Sequence, residues 1–170
     1  MTKYGNHDFA GIDKTHLKMT SYPQDLQIIR LGINDVALAE KLLLLFQEAF
    51  QTESVAPPRE PYLTKLLANP DFIACVALRE NEVVGGVTAY ELPMIHAERS
   101  ELFIYDLAVQ PAFQRKGVAT RLLETLKEYG RQKGIGQLFV AANEEDAHAI
   151  NFYLASRGNP ENVLHFTFQA

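Results

Sequence analysis

Between Phe103 and Thr120 the chain sets one carboxylate, one glycine and two cations at spacings suited to binding an anion and moving a proton. Asp106 sits inside an apolar run, Phe103 to Val109, where an unpaired buried carboxylate is costly. Such a group either has a raised pKa or faces a cationic ligand, and Asp106 is the first candidate for taking or relaying the proton of an amine. The alternative is a structural aspartate satisfied by backbone donors or an arginine. Downstream stand Gln114, Arg115, Lys116, Gly117, Val118, Ala119 and Thr120. They turn from a strand stopped by Pro111 into a long amphipathic helix. Strand, glycine-bearing turn, helix is the arrangement that aims unpaired backbone N–H groups at an anion. Gly117 removes the Cβ that would keep a phosphate off the main chain, and Arg115 and Lys116 add positive charge. A diphosphate-bearing cofactor suits this turn.

Other residues could carry chemistry, each with a plainer reading. Glu144, Glu145 and Asp146 form an acidic cluster ahead of a helix. There they serve the helix dipole as readily as a cationic substrate; as a group with Glu91 they would suit a polycation. Glu101 is a second candidate base and reads equally as a solvated charge at a strand edge. Cys75, the single cysteine, lies in Phe72-Ile-Ala-Cys-Val-Ala-Leu78 and reads as a small buried residue with no base beside it. The five histidines show no metal-ligand spacing, so no metal is expected. His165 reads as structural.

The elements that must position these groups follow from pattern. Residues 1–25 lack periodicity and read as a flexible leader ahead of one domain, 26–170. Leu26 to Leu31 is a strand. A helix capped by Asn34 or Asp35 runs to about Phe50. Residues 51–61, with three prolines, form a loop at the substrate entrance, and a short helix from Tyr62 stops at Asn69-Pro70. Two strands, Phe72 to Arg79 and Glu82 to Leu92, flank a turn at Glu80-Asn81. Gly85-Gly86 marks a bulge or a close backbone neighbour. The strand Glu101 to Val109 leads to a helix from about Arg115 to Lys133. That helix has Val118, Ala119, Leu122, Leu123 and Leu126 on one face and ends at Gly134 and Gly136. A strand at Leu138 to Ala142, a helix from Asp146 to Arg157 and a last strand at Val163 to Phe168 complete an α/β fold.

Spacing narrows the cofactor. Neither Gly-x-Gly-x-x-Gly nor Gly-x-x-x-x-Gly-Lys-Ser/Thr occurs. What stands is Gln114-x-x-Gly117-x-Ala119, after Leu107-Ala108-Val109. This resembles motif A of the GNAT superfamily of N-acetyltransferases, Gln/Arg-x-x-Gly-x-Gly/Ala, whose ligand is the pyrophosphate of acetyl-coenzyme A. Tyr105-Asp106-Leu107-Ala108-Val109, Ala89-Tyr-Glu-Leu-Pro93 and Val163-Leu-His-Phe166 look like segments of type I aminoglycoside 3-N-acetyltransferases. The resemblance implies the GNAT fold, a mixed, mostly antiparallel central sheet with helices on both faces. It also implies an N–H near Val109 that polarises the thioester carbonyl, and Asp106 beside the substrate amine with Tyr105 in contact. Asn143 would touch coenzyme A. Ala147-His-Ala-Ile-Asn-Phe-Tyr153 resembles the segment that supplies the acid for the thiolate, here Tyr153, which could equally be a core tyrosine. Gly158 follows Tyr153 by five residues where the superfamily has four.

Composition sets limits. With 170 residues, 47% apolar and 22% charged, the chain can bury a proper core. A net charge of −5 argues against nucleic acid and suits a cationic small-molecule amine. No apolar run reaches membrane-spanning length and no signal peptide is visible, so a cytoplasmic, reducing location is expected. The reading is an acetyl-coenzyme A-dependent N-acetyltransferase acting on an aminoglycoside, at the 3-amino group if the branch holds. The alternatives are a polyamine, small-amine or protein acceptor, and a coenzyme A sensor without catalysis. Relatives in the superfamily often pair, so a homodimer is possible.

Overall fold

The computed structural model describes residues 25–51 and 57–169. Five strands form one sheet in the order β1 (Gln27–Arg30), β2 (Phe72–Arg79), β3 (Glu82–Pro93), β4 (Ser100–Val109) and β5 (Gln137–Val140). The first four are antiparallel and β5 runs parallel to β4, as expected for a mixed, mostly antiparallel sheet. Helices α1 (Val36–Phe50) and α2 (Glu60–Leu67) precede β2, α3 (Val118–Lys133) carries the crossover from β4 to β5, and α4 (Ala147–Ala155) follows β5.

Hydrophobic pattern decides which face each helix takes. β2 is buried at every residue from Phe72 to Ala77, so both faces of the sheet are covered. On one face Leu122, Leu123 and Leu126 of α3 pack with Ile73, Val87, Leu102 and Ile104; on the other Ala39, Leu42 and Leu45 of α1 pack with Ala74, Val76 and Ala108. The buried positions of α3, Val118, Leu122, Leu123, Leu126 and Gly130, keep the helical rhythm read from the sequence. Each such Leu contributes about 1.5–3 kcal/mol by leaving water.

Two glycines on β3 permit close layers. A Cβ on Gly86 would collide with Cδ1 of Leu42, so α1 lies directly on the strand there. The register of β2 and β3 shifts next to Gly85, the bulge that the Gly-Gly pair implied. Glu80 and Asn81 both have positive φ, 51° and 65°, which suits the tight β2–β3 turn.

Some boundaries differ from the sequence reading. α3 opens at Val118 rather than near Arg115, because Arg115 (φ 60°) and Gly117 (φ 80°) are left-handed and cannot continue a right-handed helix. α2 begins at Glu60, with Pro61 in its first turn, so the proline-rich loop is shorter than expected. Residues 52–56 of that loop and the proposed leader, 1–24, lie outside the described residues. The strand expected at Val163 to Phe168 does not form. Residues 159–169 belong to no helix or strand and are exposed. Their apolar alternation is genuine, but no neighbouring strand supplies hydrogen-bond partners. Among the described residues, no helix is long and apolar enough to cross a membrane.

Candidate active site

The sheet splits where the sequence placed the chemistry. β4 pairs with β5 from Glu101↔Gln137 to Ile104↔Val140, and there the pairing stops. From Tyr105 to Val109 the β5-facing edge of β4 is bare, while the β3-facing edge stays paired to Gly85↔Val109. The Gln110 N–H donates to the Val84 carbonyl at 2.9 Å. Antiparallel partners alternate between hydrogen-bonded and non-bonded pairs. It follows that Val109 and Leu107 turn their N–H and C=O groups away from β3, into the split. The Val109 carbonyl is taken by Gln114 Nε2 at 3.0 Å, which ties the turn back to the strand. The Leu107 and Val109 N–H groups remain as donors along the opening, and Ala108 between them is buried against α1.

At the carboxyl end of β4 the split meets the start of α3. Its N-cap is Gly117, with no side-chain cap, and its first hydrogen bond runs from the Arg121 N–H to the Gly117 carbonyl. The N–H groups of Val118, Ala119 and Thr120 therefore precede the helical ladder. Left-handed residues at Arg115 and Gly117 curl the preceding main chain into the kind of concavity that binds anions. Arg115 and Lys116 are exposed beside it. These donors and the missing Cβ of Gly117 fit a diphosphate, and the bare edge of β4 fits an extended amide-bearing arm reaching from it.

Asp106 lies on the face covered by α1 and α2, half-buried. Thr88, its Cα partner on β3, donates from Oγ1 to Asp106 Oδ2 at 2.7 Å. Burial pushes the Asp106 carboxyl above its ordinary value, and the Thr88 bond only partly offsets this. Thr88 is 7% exposed and is the buried polar side chain of the described core. Directly before Asp106, Tyr105 is an extra residue: Thr88 faces Asp106 and Ala89 faces Ile104, so β4 bulges at Tyr105. The bulge re-aims the strand just as β5 leaves it. Tyr105 stands 64% exposed, edge-on to Tyr90 and Phe103, and Phe103 stacks on Phe139. Burial raises the Tyr90 phenol, and nearby Tyr62, Tyr105 and Asp106 raise it further. An aromatic row from three elements thus flanks a proton-hungry carboxylate, a surface that can stack on a ring and accept an ammonium.

The other sequence candidates divide. Asn143, Glu144 and Glu145 are exposed in the loop after β5, at the same end of the sheet as the α3 turn. Asp146 caps α4, accepting from the Ala149 N–H at 2.9 Å, so the capping reading holds for it. Tyr153, half-buried on α4 against the Phe152 ring, has its phenol raised by burial and by Asp146. The chain leaves α4 through left-handed Arg157, and the Gly158 N–H closes on the Tyr153 carbonyl at 2.8 Å. Glu91 is not brought together with Asp106. Strand alternation puts it on the α3 face, where it accepts from Tyr129 Oη at 3.1 Å. Glu101 sits at the far end of β4, in the paired stretch. Burial raises the Cys75 thiol to about 11, which makes it inert. Among the described residues, no group of three or more His, Cys, Asp or Glu could hold a metal. Sequence reading missed Thr88, Tyr90 and Tyr62. Their signal is a polar residue inside a buried strand and tyrosines whose positions fall on one face.

Comparison with known proteins places the fold in a family. Residues 37–158 match the acetyltransferase (GNAT) family. An aminoglycoside acetyltransferase, meta-AAC0020, from an uncultured soil metagenomic sample is similar in its complex with sisomicin. The identity is 34% and the TM-score 0.83, covering 86% of this chain and 97% of that one. Its complex with trehalose gives 35% and 0.83 over the same shares. A second aminoglycoside acetyltransferase, HMB0005, also from an uncultured soil metagenomic sample, is 45% identical with a TM-score of 0.81, covering 85% and 98%. No curated protein matches.

Proposed function

This chain belongs to the GNAT family of acetyltransferases, which use acetyl-coenzyme A, and from that premise we propose that it acetylates an amine of an aminoglycoside. The observation that carries the acceptor reading is Asp106: a half-buried carboxylate of raised pKa, at a strand bulge, beside exposed Tyr105 and at the mouth of the β4–β5 split. An aminoglycoside amine arrives as an ammonium. Asp106 takes or relays its proton, Thr88 holds the carboxylate oriented, and the aromatic row packs against the sugar ring.

The bound cofactor supplies the thioester. The N–H groups of Leu107 and Val109 hold its arm along β4, and the Val109 donor polarises the carbonyl oxygen. Donors at Val118, Ala119 and Thr120, with Arg115, Lys116 and Gly117, hold the diphosphate, and Asn143 contacts the coenzyme across the split. Tyr153, a phenol kept neutral by its raised pKa, supplies the proton for the departing sulfur. Tyr105, Glu144 and Glu145 contact the cationic acceptor. The 3-amino group of the deoxystreptamine ring is the target, on the strength of the Tyr-Asp-Leu-Ala-Val resemblance. Similarity to the sisomicin-bound acetyltransferase supports the acceptor class.

Free thiol release with acetyl-coenzyme A and a panel of aminoglycosides, polyamines and peptides tests this. Turnover confined to gentamicin-like compounds, with the product acetylated at the 3-amino group by mass spectrometry and NMR, is the expected result. Turnover only with polyamines or peptides, or cofactor binding without turnover, refutes the acceptor assignment.

A further inference from the structure

Glu101 and Asp106 stand five residues apart on β4, and a regular strand would turn them to opposite faces. The bulge at Tyr105 changes the parity. Leu102 and Ile104 before it, and Leu107 and Val109 after it, pack into the α3-side core, while Ala108 packs against α1. Glu101 and Phe103 therefore share the α1-side face with Asp106. The register on β3 measures their separation. Glu101 faces Leu92 and Asp106 faces Thr88, four residues along one strand, or about 13 Å.

Between the two carboxylates lies a continuous aromatic floor. Tyr90, Tyr105, Phe103 and Phe139 touch in turn, with ring centroids 5.7, 5.8 and 5.0 Å apart. Leu92, Tyr105 and Phe139 leave this face exposed. Glu101 is half-buried, and among the described residues its carboxylate has no hydrogen-bond or ion-pair partner. A carboxylate so placed gains most from a cation that arrives with a ligand.

We propose that Glu101 is the far anchor of the acceptor site: it binds an ammonium group remote from the one acetylated at Asp106, so that the enzyme selects polycations spanning two or more linked rings. This deepens the acceptor reading given above and rests on it. Distance removes Glu101 from proton transfer, because a base must lie within hydrogen-bond reach of the amine it serves. What remains for it is binding. The flat rings take the faces of sugar or cyclitol rings, and the two carboxylates fix where that body stops along β4. That stop decides which amine reaches Asp106. Glu144 and Glu145 follow β5, at the Asp106 end, and Glu91 faces α3, so Glu101 marks the other end of the floor. A one-ring diamine is too short to touch both carboxylates.

Steady-state thiol release by the full chain, with gentamicin and with the one-ring diamine 2-deoxystreptamine as acceptors, tests this against Glu101→Gln. Glutamine keeps the volume and removes the charge, and Glu101 has no partner whose loss would disturb the fold. For gentamicin, KM is expected to rise at least about tenfold, the worth of one hydrogen bond to a charged group, with kcat within about twofold of the natural chain. For 2-deoxystreptamine, kcat/KM is expected to stay within about twofold. Glu101→Asp, which keeps the charge, is expected to recover most of the gentamicin KM. An unchanged gentamicin KM overturns the proposal, as does a fall in kcat alone or an equal loss with both acceptors. Each of these leaves acetyl transfer at Asp106 standing. A natural chain that acetylates no aminoglycoside refutes the acceptor reading itself, and this inference with it.

Discussion

Replacing Asp106 by asparagine separates what the carboxylate does for chemistry from what it costs the fold. Asparagine keeps an oxygen for the Thr88 hydroxyl 2.7 Å away but carries no charge. A neutral acceptor forgoes about 1 kcal/mol relative to a charged one. Against this, the raised pKa of Asp106 shows that burial of the charge outweighs the Thr88 bond. A carboxyl whose folded pKa lies above its unfolded value of 3.8 binds its proton more tightly in the folded state. Its contribution to stability is complete below pH 3.8 and is lost as pH rises through the folded pKa. Asp106→Asn has no such loss, so its advantage over the natural chain grows from acid to neutral pH. At pH 7 the variant is expected to melt at a higher temperature than the natural chain, with the difference shrinking as pH falls. Acetyl transfer should fall about 10²–10⁴-fold, the usual worth of a positioned base, with coenzyme A affinity unchanged. Calorimetry from pH 4 to 8 beside thiol-release kinetics measures both arms. A lower melting temperature at neutral pH, a stability difference independent of pH, or undiminished turnover would each refute the argument.

Three further perturbations probe the same architecture. Thr88→Val removes the donor to Asp106 at nearly constant volume. It should cost about 1–3 kcal/mol and move the acid limb of the kcat/KM profile to higher pH, as measured by denaturant titration and pH–rate curves. Gly117→Ala strains a φ of 80° and brings a Cβ toward the phosphate cradle; calorimetric titration should show coenzyme A affinity at least about tenfold weaker. Gly86→Ala drives a methyl into Leu42, destabilising by about 1–3 kcal/mol in chemical denaturation. Adding Leu42→Ala should then cost less than Leu42→Ala costs alone, because the two share one space.

Local signals carried most of the architecture. Strand runs at β2, β3 and β4 and the helical rhythm of α3 depend on neighbours in the chain, and their placement agrees with the sequence reading. α3 starts three residues later than its sequence pattern implies because Arg115 adopts a left-handed conformation that its side chain does not advertise. Thr88 was illegible as a partner of Asp106. Their meeting needs a register across 18 residues and an extra residue at Tyr105, and neither has a sequence signature. Grouping Glu91 with Glu144, Glu145 and Asp146 rests on charge alone, whereas alternation along β3 turns Glu91 toward Tyr129. The segment at Val163 to Phe168 shows the limit from the other side: pattern identifies a strand-former, but a strand exists only where an edge receives it.

Among the described residues, four registered residue pairs, Glu101↔Gln137 through Ile104↔Val140, stitch β5 to the rest of the sheet. A ligand arm lying along Leu107 and Val109 would continue that seam beyond the last stitch. Cofactor binding and the cohesion of that seam are then coupled: saturating coenzyme raises the melting point, and a mutation that opens the seam in the unliganded protein weakens the grip on coenzyme through that coupling.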